Sequence, residues 1–258
     1  MMEKILVSSL GYLHCPECFG VGARKFIDIM NRSRFRKASH IVALSEGIKR
    51  DLISHYDIPE EKITVEYPEI SSYFNEPLND EELERLRTRY GIPDRYLLQY
   101  GELSKLNNQK MTVEALSNIS PDISIVLVGN DKAHYRKELE KIAKLHGVEN
   151  RIIFIEEIYD DQLATLTQGA EIVLCLAKYE GFPYHLISAL TSGCIVIASA
   201  IEEHEAAGGP DQYYIDSDDS TELISAIHSL LRDPASAKIM AEAGKEYVNT
   251  IENSASNI

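Results

Sequence analysis

No apolar run in the 258 residues approaches the roughly 20 needed to cross a membrane as a helix, so no transmembrane segment is expected. Basic residues are in deficit: 26 Lys and Arg against 41 Asp and Glu leave a net charge of −15. That balance argues against nucleic acid as a partner and favours a self-repelling surface. Cysteine is scarce, with four residues. Cys15-Pro-Glu-Cys18 is a lone C-x-x-C behind His14. A zinc site needs a second pair, and Cys175 and Cys194 fall in apolar runs elsewhere. The reading is therefore free thiols in a reducing compartment, with no metal. Met1 to Tyr12 lacks a clean small-residue cleavage site and reads as a first strand, not a signal peptide, which places the chain in the cytoplasm.

What is present centres on residues 171–199, EIVLCLAKYEGFPYHLISALTSGCIVIAS. Glu171 to Leu176 is a short apolar run and reads as a buried strand. Pro183 to Ser192 has helical spacing, with Leu186, Ala189 and Leu190 on one face. Cys194 to Ser199 is a second β-branched run. Strand, loop, helix and strand in that space make a right-handed βαβ unit. The loop 177–182 then leaves the carboxyl end of a parallel strand, where open α/β sheets bind ligands. Pro183 suits the first turn of the following helix, whose free N–H groups attract anions.

The rest of the chain repeats this alternation. Strands are expected at 95–100, 123–128, 151–155, 171–176, 194–199 and 212–215, with helices at 108–119, 131–146, 160–168, 183–192 and 219–232. This pattern gives an α/β fold with a doubly wound parallel sheet. Before it, Lys4 to Leu10, His40 to Leu44 and Lys62 to Glu66 read as strands. Gly20 to Lys37 reads as a basic helix whose apolar side is Phe26, Ile29 and Met30. It is a solvated face or a contact with an anionic acceptor, membrane surface or partner. Ser45 caps a helix through His55, and Asp80 one through Tyr90. Tyr67 to Asp80 has no periodicity. Residues 234–252 form a last helix, with a frayed tail at 252–258. The domains are then 1–70, a linker 71–80, and 81–258.

The spelling around Glu180 resembles the donor-site motif of retaining GT-B glycosyltransferases, the family 4-like "glycosyl transferases group 1" enzymes. There it reads Glu-Gly-Phe-Gly-Leu-Pro-x-x-Glu-Ala, followed by Gly and a Val/Ile strand. Glu180, Gly181, Phe182, Ala189, Gly193, Val196 and Ile197 match, while the second glutamate falls on Ser188. SHIVALSEGIKRDLISHYDIPEEKITVEYPEI, running from Ser39, resembles the end of the amino-terminal lobe. The resemblance implies a Rossmann-like donor lobe and a truncated acceptor lobe, without the Gly-rich turn the family has after its first strand. A sheet with only three strands exposes an edge and an apolar face, calling for a partner chain or self-association.

The same resemblance implies transfer of a hexose from a UDP-, GDP- or ADP-linked sugar with retention, needing no metal and no cofactor. Glu180 is then the group nearest the transferred sugar. Donor contacts fall on Gly101, Glu102, Asn107, Gly129, Ile158, Gly181, Phe182, Pro183, Tyr184 and Ser188. Glu102 and Asn107 stand where the family has Arg and Lys for the diphosphate. Each lost charge-assisted hydrogen bond removes roughly 1.5–3 kcal/mol. A carboxylate about 4 Å from a phosphate adds repulsion of about 4 kcal/mol at an effective dielectric of 20. Lys105, Lys110 and Lys178 are candidate substitutes. Serine at 188 is too short to accept both hydroxyls of a ribose diol. Pro183 removes one N–H from the helix start. His185 reads as structural. These departures leave other readings open: a non-catalytic subunit, a split-gene product completing a partner transferase, or a plain nucleotide-binding α/β protein.

Overall fold

The computed structural model describes residues 4–132 and 134–255, with side chains described as far as residue 250. Contacts divide the chain into two units. One comprises the residues through Glu69 together with Tyr179–Pro183, and the other Ile70–Lys178 together with the chain from Tyr184 onward.

The first unit runs β1 (Lys4–Val7), α1 (Gly11–His14), a 3-10 turn, α2 (Val21–Lys37), β2 (His40–Ala43), α3 (Glu46–Tyr56) and β3 (Ile63–Val65). The strands are parallel in the order β1-β2-β3. Both crossovers step the same way, so their common hand places α2 and α3 on one face. That face carries Ile5, Ile41 and Ile63 against Phe35, Ile48 and Leu52, all buried. The Ser45 hydroxyl accepts from the Ile48 amide at 3.2 Å and starts α3 as the sequence indicates.

The structure settles one reading for this unit and changes another. Phe26, Ile29 and Met30 of α2 point outward, at 66, 67 and 55% exposure. The inner side instead carries Phe35, Ile27 and a polar set that the apolar pattern did not reveal. Asn31 donates to the Tyr12 hydroxyl at 2.8 Å, and Asp28 lies 2.9 Å from His55 and 3.2 Å from Arg32. Because each inward polar group finds a partner, the apolar residues are not needed there. Cys15 and Cys18 form a disulfide, correcting the reading of free thiols, while Cys175 and Cys194 are free and buried.

In the second unit, the stretch at 71–80 is partly ordered. A 3-10 turn, Ser72–Asn75, buries Phe74 to 1% exposure. Asn79, not Asp80, caps the next helix by accepting from the Glu82 amide. The order is then α4 (Asp80–Tyr90), β4 (Tyr96–Tyr100), α5 (Gln109–Ala115), β5 (Ser124–Val128), α6 (Arg136–His146), β6 (Ile152–Ile155), α7 (Asp160–Gln168), β7 (Ile172–Cys175), α8 (Tyr184–Thr191), β8 (Val196–Ser199), α9 (Glu202–Gly208), β9 (Tyr213–Ile215), α10 (Ser220–Arg232) and α11 (Pro234–Ala255). The six strands lie in the order β6-β5-β4-β7-β8-β9, and every pair is parallel.

Alternation along each strand fills two cores. Leu97, Ile125, Leu127, Ile172 and Ile197 meet α5, α6 and α10 on one face. Tyr96, Leu98, Val126, Val173 and Val196 meet α4, α7 and α8 on the other. Each such aliphatic side chain contributes about 1.5–3 kcal/mol by leaving water. The sequence missed α9, a seven-residue helix with acidic residues in its first turn. It also began α6 too early: Asp131 accepts from the Tyr135 and Arg136 amides and holds the chain in a turn before the helix. The helix α11 persists to Ala255, and 256–258 lie outside the described residues.

Candidate functional site

Strand order in the larger sheet reverses between β4 and β7, and the carboxyl ends at such a switch point hold the ligand site of doubly wound folds. Gly101 follows β4, Gly129 follows β5, and residues 176–183 follow β7. Of the residues the sequence singled out, this unit brings together Gly101, Glu102, Asn107, Gly129, Tyr184 and Ser188. Ile158 lies in the β6–α7 connection, half-buried against the core that α8 shares.

Two glycines let the first loops close. Gly101 donates its N–H to Val128 O at 2.8 Å, and Gly129 donates to Ile155 O at 2.8 Å. A Cβ on Gly129 would stand 1.9 Å from Gly101 O, and its φ of +152° suits only glycine. A Cβ on Gly101 would meet His185 Cε1 at 3.0 Å and Asn107 Nδ2 at 3.2 Å. His185, taken as structural from the sequence, thus stands at the loop after β4.

The loop 101–108 is held by its own polar groups. Buried Gln99 donates to Asn107 O at 2.7 Å and accepts from the Thr112 hydroxyl at 2.6 Å. Asn107 Nδ2 donates to Glu102 O at 2.7 Å, and Gln109 Nε2 donates to the same oxygen at 3.0 Å. The residue standing where the resemblance implies a phosphate-binding lysine is therefore spent on its own loop. Glu102 is exposed. Of the substitutes, Lys178 pairs with Asp218, Lys110 lies 3.6 Å from Glu114, and Lys105 is exposed.

The Ser188 position is filled. Ser188 is 0% exposed, and its Oγ lies 2.8 Å from Tyr184 O and 2.6 Å from the Tyr100 phenol. The phenol also donates to His185 O at 2.8 Å. Burial pushes the Tyr100 phenol well above its ordinary range, so it stays a neutral hydrogen-bonding group. Sequence reasoning read Ser188 as too short for a ribose diol and did not single out Tyr100. The signal was there in a large polar residue ending a strand otherwise given over to the core.

Tyr179–Pro183 belongs to the first unit by its contacts, though it is the connection from β7 to α8. Tyr179 stacks on His14 at 4.5 Å between centroids, with planes 3° apart. His14 Nε2 lies 2.6 Å from Asp51 Oδ2. A Cβ on Gly181 would stand 2.2 Å from Ser8 O, so only glycine lets the two backbones approach. Phe182 tilts against Tyr67 at 6.0 Å. Glu180 and Phe182 are half-buried, and Pro183 is buried.

A recess of about 390 Å³ lined by Arg95, Ser120, Ile123, His228, Leu231 and Arg232 lies at the amino-terminal rim of the sheet, opposite these loops. Its Arg95 is held at 2.6 Å by Asp122 and 2.7 Å by Glu171, and we assign it no part in the site.

The sequence profile described as "Glycosyl transferases group 1" matches residues 83–247, more than half of the chain. The chain belongs to this glycosyltransferase family. A D-inositol 3-phosphate glycosyltransferase of Corynebacterium aurimucosum is 26% identical over 209 residues, 77% of this chain and 50% of that protein. An uncharacterized glycosyltransferase of Methanocaldococcus jannaschii is 24% identical over 180 residues, 69% of this chain and 46% of that protein. The chain thus spans about half the length of the curated relatives it matches. The structure of Anabaena HepE in complex with UDP and glucose aligns with a TM-score of 0.74 at 19% identity, covering 94% of this chain and 69% of that one. At that identity the likeness shows the fold, a GT-B, Rossmann-like α/β architecture. The Gly101 and Gly129 turns and the start of α8 lie on one rim of the sheet.

Proposed function

We propose that this glycosyltransferase chain binds a nucleotide sugar, UDP-, GDP- or ADP-linked, and takes part in transferring its hexose with retention on the cytoplasmic side. The carrying observation is the close approach of the Gly101 and Gly129 turns, beside the start of α8. The Gly101 and Gly129 N–H groups are taken by Val128 O and Ile155 O, so these turns supply a close backbone wall, and α8 supplies the positive end of its dipole for a diphosphate. Glu180 serves the transferred sugar, with Gly181, Phe182, Pro183 and Tyr184 shaping its surroundings. Ile158 serves the base through its backbone. No metal and no cofactor enter this scheme. That HepE is described with UDP makes uridine the first base to test.

One set of observations favours a second reading, a non-catalytic or split-gene subunit completing a partner transferase. Glu102 adds negative charge where phosphate would sit, Asn107 is tied to its own loop, and Tyr100 fills the space beside Ser188. Thermal denaturation with UDP, GDP and ADP separates the two. A rise in Tm with one of them at millimolar concentration supports the donor-site reading. No rise with any leaves the subunit reading alone.

A further inference from the structure

Cys15, Pro16, Glu17 and Cys18 form one tight turn between α1 and α2. The Cys15 N–H donates to Gly11 O at 2.8 Å, the Cys18 N–H to Cys15 O at 3.0 Å and the Phe19 N–H to Pro16 O at 3.3 Å. These bonds fix the backbone before any side chain acts. They leave the two cysteine Cα atoms 5.5 Å apart. They also bring Cys15 Sγ, Cys18 Sγ and a Glu17 carboxylate oxygen within 4.8 Å of one another. Two features do not suit a purely structural disulfide. The bond joins residues only three apart in sequence, and the stabilisation gained by restricting the unfolded chain is least for short loops. Glu17 Oε1 lies 3.1 Å from Cys15 Sγ, yet a disulfide sulfur has no proton to donate to it. A carboxylate at that distance suits a thiol, or a cation shared with a thiolate.

We propose that Cys15 and Cys18, once reduced, bind one Zn²⁺ ion with Glu17 as the third ligand. The first step is thiol–disulfide exchange with an external dithiol. Cys15 is buried at 1% exposure and Cys18 is half-buried, so the incoming thiolate attacks Cys18 Sγ and Cys15 Sγ leaves. The second thiol of the reductant resolves the mixed disulfide. Two electrons pass to the two cysteines, and the dithiol becomes a disulfide. Zn²⁺ then displaces the two thiol protons, which go to solvent. The dimensions fit this ion. With Zn–S bonds of about 2.3 Å and a Zn–O bond of about 2.0 Å, tetrahedral ligands stand about 3.8 Å apart for two sulfurs and about 3.5 Å for sulfur and oxygen. Side-chain rotation reaches these spacings while the backbone of the turn stays in place. Thiolates select a soft ion over Mg²⁺ or Ca²⁺. A second cysteine pair is not needed, because zinc also takes three protein ligands with a water in the fourth position. Without an ion, two thiolates and a carboxylate would repel one another, and Zn²⁺ offsets that repulsion. Cys15 follows His14, whose ring stacks on Tyr179, so the ion fixes the end of α1 that carries this stack. The inference does not depend on whether a nucleotide binds.

The test titrates Co²⁺, a spectroscopic stand-in for Zn²⁺, into the full chain reduced with a phosphine under anaerobic conditions. The expected result is a single equivalent bound, with thiolate-to-cobalt charge-transfer absorption that added Zn²⁺ abolishes. Unreduced protein should show none of this absorption, a comparison that needs no substitution. Cys15→Ser/Cys18→Ser should lose it, which excludes Cys175 and Cys194 as its source. Glu17 is exposed, so Glu17→Gln should keep the wild-type far-UV circular dichroism and weaken binding at least about tenfold. If the double cysteine variant does not fold, the unreduced wild type and Glu17→Gln decide. The proposal is overturned if the reduced wild type shows no such absorption at millimolar Co²⁺, which leaves a plain disulfide. It is equally overturned if the absorption persists in the double cysteine variant, or if Glu17→Gln binds as tightly as the wild type.

Discussion

The phenolic oxygen of Tyr100 lies 2.6 Å from the hydroxyl of Ser188, and both residues are buried. A side chain from the end of β4 thus fills the position where the glutamate of related motifs falls on α8. Tyr100→Phe removes the phenol's bonds to Ser188 and His185 O. It should cost about 1 kcal/mol, a fall in Tm of about 2–4 °C for a domain of this size. Ser188→Glu places a carboxylate in filled, buried space and should cost more than about 3 kcal/mol. Adding Tyr100→Ala to it should recover part of that loss, since the two residues touch. Denaturant titration measures all three, and an unaltered midpoint for Ser188→Glu alone would remove the phenol from this site.

Gly129 and Gly91 make a matched pair. Both have positive φ, +152° and +67°, but a Cβ on Gly91 meets nothing within 4 Å. Gly91→Ala should cost about 1 kcal/mol from backbone strain alone. Gly129→Ala adds the collision with Gly101 O, should cost more than about 2 kcal/mol, and should displace the 101–108 loop. Equal midpoints for the two variants in urea would refute the close approach of these turns.

The disulfide predicts a thiol count. Native protein treated with iodoacetamide should gain no adduct, because Cys175 and Cys194 are buried and Cys15 is bonded to Cys18. Burial also pushes the Cys194 thiol up to about 12, away from reactive thiolate. Denatured, unreduced protein should gain two adducts, and denatured, reduced protein four, read by intact mass. Four adducts without reductant would restore the free-thiol reading.

Asp28 gives an acid limb. Burial raises its pKa, but hydrogen bonds from His55, Arg32 and Tyr56 outweigh burial and leave it below the ordinary carboxylate value. A carboxylate lowered in the folded state stabilises fully above its unfolded pKa, near 3.9. That contribution is lost as pH falls through the lowered value. Asp28→Asn should therefore lower stability near neutrality and flatten its decline below about pH 4. Unfolding curves across that range check it, and an acid limb as steep as that of the wild type would exclude Asp28 as its source.

Strand and helix positions in the larger unit were legible because its four inner strands are buried on both faces and its edge strands partly so, giving short apolar runs between amphipathic helices. The six expected strands differ from those observed by at most two residues at either end. The motif residues from Glu180 to Gly193 were legible as spelling. What escaped was what side chains do across sequence distance. The Tyr100–Ser188 contact spans 88 positions, and the Tyr12–Asn31 bond that anchors α2 spans 19. Helical periodicity identified the apolar stripe of α2 but could not say which face is anchored when the opposing face carries satisfied polar groups.

The central claim is a diphosphate site, weakened by Glu102 and Asn107, at the turns after β4 and β5. Calorimetric titration of UDP, GDP and ADP into the wild type and into Glu102→Arg/Asn107→Lys tests it most directly. The account predicts weak binding of one nucleotide by the wild type, tightened at least about tenfold in the double variant by restored charge-assisted hydrogen bonds. Absence of heat from every nucleotide at millimolar concentration, in both proteins, would contradict it.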